Sequence, residues 1–227
     1  MKTAIVTGAS GNLGQAVVQK FLSKGITVIG TILHNDTVTM DDPKLEKVTV
    51  DLTDEENSSQ FVEKVVAKHG NVDAAVLTVG GFAMGNIAVT KTADIMKQYK
   101  LNFETAYNIA RPVFLHMMKQ NKGRICLVGS RPGLNTKNAK GMVGYGLGKS
   151  LIFRLAELMN EEAKGYDVVA SVIVPSTIDT PQNRKAMPDA NFSKWVKADE
   201  IADAIYYYCS DEAMALREPV IKVYGNS

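Results

Sequence analysis

Tyr145 and Lys149 stand four residues apart in the segment Tyr145-Gly146-Leu147-Gly148-Lys149. On a helix that spacing puts both side chains on one face. A phenol is ordinarily too weak an acid to work near neutral pH. An ammonium beside it favours the phenolate and lowers its pKa. Tyr145 is therefore a candidate general acid–base for a carbonyl or alcohol oxygen. Ser130, at the end of an apolar run, offers its hydroxyl either to a substrate oxygen or as a cap to the turn that follows. Asn102 falls inside a helical pattern, where asparagine is a poor helix former. Facing a sheet it would hold a water or a main-chain carbonyl; facing outwards it would be solvated.

A second constellation is Thr7-Gly8-Ala9-Ser10-Gly11-Asn12-Leu13-Gly14, which follows an N-terminal apolar run and precedes a helical stripe. Glycines let such a turn approach a pyrophosphate closely, and the helix start offers free N–H groups and a positive dipole end to that anion. The next apolar run ends Leu33-His34-Asn35-Asp36, with neither a carboxylate nor an arginine where an adenosine ribose would lie. Asp36 is expected to fall too far along. A slight preference for the 2′-phosphorylated dinucleotide follows. Asp51 is placed to meet an adenine edge, or else to start the next helix as a cap.

Positioning these groups requires alternating strands and helices. Short apolar runs at 2–6, 26–33, 48–50, 74–79, 124–128, 168–174 and 220–224 read as strands. Helical patterns cover 13–24, 54–69, 92–120, 144–164 and 198–210, the third bent at Pro112. Strands apolar on both faces imply a parallel sheet covered on both sides. The chain is thus expected to be a single doubly wound α/β domain over 1–227. Ligands bind such sheets beyond the carboxyl ends of the strands, where the glycine turn, Asp51, Gly80, Ser130 and 175–180 all fall. The polar stretch Gln182–Trp195 is expected to form a small substrate-covering loop near 182–197. Phe82, Met142 and Trp195 are candidate apolar walls.

Other classes of function fare poorly. The net charge is +2, without a basic run interleaved with aromatics, which argues against a nucleic-acid surface. His34, His69 and His116 are scattered, so neither a metal site nor a histidine triad is expected. Cys126 and Cys209 have no metal spacing and read as small buried hydrophobes in a reducing compartment. No apolar run approaches the ~18 residues that span a bilayer. A cytoplasmic protein acting on a small molecule is expected, with neither nucleic acid nor membrane as partner.

Taken in order, these motifs resemble the short-chain dehydrogenase/reductase family over essentially the whole chain. The resemblance implies a Rossmann-like fold and an NAD(P)-dependent oxidoreductase. It implies that Asn102, Ser130, Tyr145 and Lys149 form a catalytic tetrad. Tyr145 would exchange the proton. Lys149 would lower its pKa and hold the nicotinamide ribose. Ser130 would orient the substrate oxygen, and Asn102 would support a water relay. Cofactor contacts would come from Gly8, Ser10, Asn12, Leu13, Asp51, Leu52, Gly80, Tyr145, Lys149, Pro175, Ile178 and Thr180, the cofactor being NADP or NAD with a lean to NADP. A homodimer or homotetramer built on the helices at 92–120 and 144–164 is implied as well.

Three departures stand out. The glycine pattern is T-G-x-x-G-x-x-G where T-G-x-x-x-G-x-G is commoner. Leu77-Thr78-Val79-Gly80 replaces the usual N-N-A-G, and the Ser130–Tyr145 interval of 15 residues is long. From about residue 72 onward the chain is most similar to dihydropteridine reductases, through 80–86, 141–146 and 179–188. Those members lack the tetrad serine and asparagine. Ser130 and Asn102 therefore favour an ordinary carbonyl or hydroxyl substrate, with reduction of a quinonoid dihydropterin as the alternative.

Overall fold

The computed structural model describes every residue except Thr37, Asn138 and Ser227. Seven strands form one parallel sheet: β1 (Thr3–Thr7), β2 (Thr27–Ile32), β3 (Leu45–Thr49), β4 (Ala74–Leu77), β5 (Lys122–Val128), β6 (Asp167–Pro175) and β7 (Val220–Val223), in the order β3-β2-β1-β4-β5-β6-β7. β1, β4 and nearly all of β5 and β6 are buried on both faces, as their unbroken apolar sequences require. The order reverses between β1 and β4, which opens a crevice at their carboxyl ends.

Helices cover both faces. On one side α1 (Asn12–Ser23) and α8 (Ala198–Cys209) bury Val17, Phe21, Ile201 and Ile205 against β1 and its neighbours. On the other, α2 (Glu55–His69), α4 (Thr105–Gln120) and α6 (Val143–Glu162) bury Phe61, Ile109, Val113 and Ile152. Both cores meet in the sheet, so each strand's alternate side chains serve opposite layers. No helix among the described residues is long and apolar enough to cross a membrane.

The doubly wound architecture expected from the sequence is the one observed. Two elements differ. β3, expected at 48–50, is Leu45–Thr49, a half-exposed edge strand with Glu46 and Lys47 inside it. The helical pattern at 92–120 is not a single helix bent at Pro112. α3 (Thr92–Tyr99) runs through a π-helical turn, Lys100–Glu104, into α4. The hydrogen-bond ladder changes register at Asn102 rather than at the proline. Two short helices also escaped the periodicity: α5 (Arg131–Leu134) and α7 (Pro181–Ala186). Neither is long enough to carry an apolar stripe.

Candidate active site

The glycine turn enters α1 without a side-chain cap, because Gly11 occupies the N-cap position and the first turn holds no acid. The first N–H groups of α1 are therefore left to a ligand. Gly14 allows this tight entry: a Cβ there would lie 2.0 Å from the Gly8 carbonyl oxygen. The stitch between β1 and β4 comes from Thr78. Its Oγ1 donates to the Thr7 carbonyl (2.6 Å), and its N–H donates to Thr7 Oγ1 (3.1 Å). Thr78 thus supplies the cross-strand tie in the unusual Leu77-Thr78-Val79-Gly80 segment.

A groove of about 560 Å³ runs along these strand ends. Gly8, Ser10, Asn12, Leu13, Asp51, Leu52, Gly80, Ile178 and Thr180 all line it, whereas Tyr145, Lys149 and Pro175 do not, since Lys149 is buried behind Gly80 and Pro175 is buried in β6. Asp51 turns back on its own loop and accepts from Thr53 N–H (2.9 Å) and Oγ1 (2.7 Å). Those bonds hold its carboxyl below the usual carboxylate range. The cap of α2 is Asp54, which accepts from Asn57 N–H.

Asp36 is a correction. The chain turns after β2 and brings it into the groove, where its carboxylate accepts from Ser10 Oγ (2.5 Å) and Leu33 N–H (3.2 Å). Linear counting along the strand misses a turn that doubles back. No lysine or arginine lines this groove among the described residues.

The π-helical turn presents Asn102 inward, fully buried. Its Oδ1 accepts from Gly81 N–H (3.0 Å), and its Nδ2 donates to the Gly81 carbonyl (2.9 Å) and to Gln98. Asn102 therefore clamps the loop after β4. Nothing in the sequence singled out the buried Gln98 that holds it. Lys149 lies next to it. α6 can press on α3 here because Gly148 has no side chain, a Cβ there falling 2.9 Å from the Gln98 carbonyl oxygen. Lys149 is 4% exposed, and its Nζ donates to the Val128 carbonyl at 2.8 Å. A Cβ on Gly80 would stand 2.7 Å from Asn102 Oδ1 and 3.0 Å from Lys149 Nζ. Asn102 and Lys149 are thus packed together against the glycine that lines the groove.

Tyr145, one turn earlier on α6, is half-buried and lines a neighbouring pocket of about 320 Å³ with Phe82, Met84, Val89 and Leu101. Leu101 borders both pocket and groove. Phe82 sets its edge against the Tyr145 ring, centroids 5.0 Å apart. Ser130 takes the capping role and also faces Tyr145. Its Oγ accepts from Gly133 N–H (3.2 Å), capping α5, and its hydroxyl shares a hydrogen bond with the Tyr145 phenol.

The electrostatics differ from the simple pairing expected of a Tyr and a Lys one turn apart. Burial raises the Tyr145 pKa, and the Ser130 hydrogen bond pulls it partly back. Burial also lowers Lys149, to about 8. No hydrogen bond joins phenol and amine among the described residues. Desolvation by the surrounding protein, which a sequence does not display, is the largest cause of both shifts.

Of the other candidate walls, Phe82 reaches the pocket. Met142 instead bridges to Gly85, zipping the loop after β4 to the start of α6, and Trp195 packs on Phe192 with centroids 4.8 Å apart. The segment following β6 is knitted by Arg184, which donates to both Asp179 oxygens at 2.6 and 2.8 Å. It reaches across the groove through Asn12 Nδ2, which donates to Gln182 Oε1 (3.0 Å). Among the described residues no cluster of three or more His, Cys, Asp or Glu side chains could hold a metal ion.

Residues 2–191 match the family model described as short chain dehydrogenase. The chain is 25% identical, over 99% of its length and 96% of the relative's, to the 3-oxoacyl-acyl-carrier-protein reductase FabG of Thermotoga maritima. It is 28% identical, over 92% of its length and 88% of the relative's, to a dihydropteridine reductase of Dictyostelium discoideum. The solved structure of ElxO with NADP bound superposes with a TM-score of 0.91 at 22% identity, covering 99% of this chain and 97% of that one.

Proposed function

The chain belongs to the short-chain dehydrogenase/reductase family, and from that premise we propose that it is an NAD(P)-dependent reductase of small carbonyl compounds with Tyr145 as its acid–base. The observation that carries this reading is the Tyr145 phenol beside the Ser130 hydroxyl, one helical turn from the buried Lys149 amine, which packs behind the groove-lining Gly80.

The uncapped start of α1 and the Gly8–Gly14 contact, which any side chain would fill, fit a dinucleotide pyrophosphate. When bound there, the cofactor supplies or accepts a hydride. The residues do the rest. Ser130 and Tyr145 hold a substrate oxygen between two hydroxyls. A phenol kept neutral by burial donates its proton as negative charge develops on that oxygen. Lys149 places a positive charge beneath the site, and Asn102 keeps the loop after β4 in register with it. The strap held by Gln182 would exclude water on closing over a bound substrate. In this reading the substrate-covering loop near 182–197 belongs to a single domain of 1–227, and the protein works in the cytoplasm. Exposed Leu115 on α4 and Leu147, Leu151 and Leu158 on α6 supply the apolar faces for a homodimer or homotetramer.

Reduction of a quinonoid dihydropterin is the second reading, favoured by the 28% identity to a dihydropteridine reductase. Ser130→Ala separates the two. For a carbonyl substrate the variant is expected to lose roughly tenfold or more in kcat/KM, the loss of one hydrogen bond made in the transition state. For the dihydropterin its rate stays within about twofold. A silent Ser130→Ala with every carbonyl tested would transfer the assignment to the pterin.

For the cofactor we favour NADP, the dinucleotide bound to the structurally similar ElxO. In this chain the groove carries two carboxylates, Asp36 and Asp51, of which Asp36, on the loop after β2, would oppose an adenosine 2′-phosphate. Asp36→Asn is expected to tighten NADPH about five- to tenfold and leave NADH nearly unchanged, as the screened Coulomb term predicts. Titration calorimetry with both dinucleotides would read this. An unchanged ratio of affinities would remove Asp36 from the ribose site.

A further inference from the structure

Cys126 and Cys209 lie 83 positions apart in sequence, yet their Sγ atoms are 3.5 Å apart. Cys126 is on β5 with 1% of its surface exposed, and Cys209 is the last residue of α8 with 5% exposed. No disulfide joins them. Three features set the pair apart from ordinary thiol packing. The two sulfurs belong to elements already tied beside them, since Lys122 Nζ at the start of β5 contacts Asp211 Oδ1 at 3.1 Å, two residues beyond Cys209. That exposed ion pair marks the end of α8 and the start of β5 as neighbours. Closing to bonding distance needs a movement of only about 1.5 Å, given the S–S length of ~2.05 Å. Finally, Cys209 sits on a terminal turn, where local opening costs least.

We propose that Cys126 and Cys209 are a modification site, a thiol pair converted to an intramolecular disulfide by hydroperoxides. On opening of the last turn of α8, the Cys209 thiolate attacks a peroxide oxygen. The O–O bond breaks, an alcohol or water leaves, and Cys209 becomes a sulfenic acid. The Cys126 thiolate then attacks that sulfur, the S–O bond breaks, and water leaves as the S–S bond forms. Two thiols lose two electrons and two protons, and one peroxide takes them. The hydrogen bond with the Cys126 thiol, and then burial, push the Cys209 pKa up, so the reaction is slow while the helix stays closed. The bond would fasten α8 to the strand that ends at Val128, two residues before Ser130, and it closes a loop long enough to stabilise the fold substantially.

The test uses the whole wild-type protein, reduced, freed of reductant and exposed to hydrogen peroxide. The expected product has an intact mass two hydrogens lighter, has no free thiol after denaturation, and yields a proteolytic fragment joining the two cysteine peptides. Its melting temperature rises by roughly 5–10 °C and falls back on treatment with dithiothreitol. Cys209→Ser and, separately, Cys126→Ala would each abolish the mass loss and the shift. Thiols that survive peroxide, oxygen added without cross-linking, or disulfides only between molecules would each overturn the proposal. None of these readouts depends on turnover.

Discussion

Tyr145→Phe is expected to lower kcat by roughly 10²- to 10⁴-fold while the dinucleotide still binds, the range that a positioned acid–base supplies. The change removes one oxygen and keeps the ring that packs edge-on against Phe82. The apolar pocket therefore survives. The half-buried ring loses only its bond with Ser130, whose hydroxyl remains the cap of α5. Folding stability should move by about 1 kcal/mol or less, the scale of one net hydrogen bond. Steady-state rates on a carbonyl panel, together with calorimetric binding of NADPH, give both halves of the comparison. Turnover persisting near the wild-type rate would take the phenol out of the chemistry. Loss of dinucleotide binding would mean that the substitution had disturbed the groove instead.

Lys149→Met is expected to abolish turnover and, at pH 7, to make the protein more stable. The amine is buried, and its pKa falls from an ordinary 10.5 to about 8. Between those values the unfolded chain binds more protons than the folded one, so wild-type stability rises with pH across that window. Below pH 8 the full cost of burying the ammonium is present, about 3 kcal/mol on the linkage scale. Methionine removes that cost and forfeits the bond to the Val128 carbonyl, about 1 kcal/mol. The net gain of about 2 kcal/mol raises the melting temperature by roughly 5 °C for a chain of this size. The advantage over wild type should shrink above pH 8 and largely vanish near pH 10.5. A variant less stable than wild type at pH 7 would show that the amine supports the fold rather than burdening it. The same titration governs the reaction: wild-type reduction should decline as pH rises through about 8 and Lys149 loses its charge.

Much of this was legible in the residues themselves. Apolar runs of four to nine residues separated by helical stripes specify a covered parallel sheet, because each strand must bury both faces. Gly8, Gly11 and Gly14, running from the end of β1 into α1, mark a tight turn at a strand's carboxyl end, since their spacing and position follow from local backbone geometry. Tyr145 and Lys149 announce themselves by helical periodicity. These are short-range facts, carried by a few consecutive side chains, and a sequence records them directly.

What the chain order did not record is who is desolvated and who meets whom across it. Asp36 reached the groove because a turn doubled back. Gln98 became a support for Asn102 because a π-helical turn shifted the register. Two cysteines with no sequence relation came into van der Waals contact because β5 and α8 are neighbours only in the folded layer. Most consequentially, burial moves Tyr145 and Lys149 in opposite directions, raising the phenol and lowering the amine: a sequence places an ammonium one turn from a phenol, but only the packed interior decides how far each is desolvated.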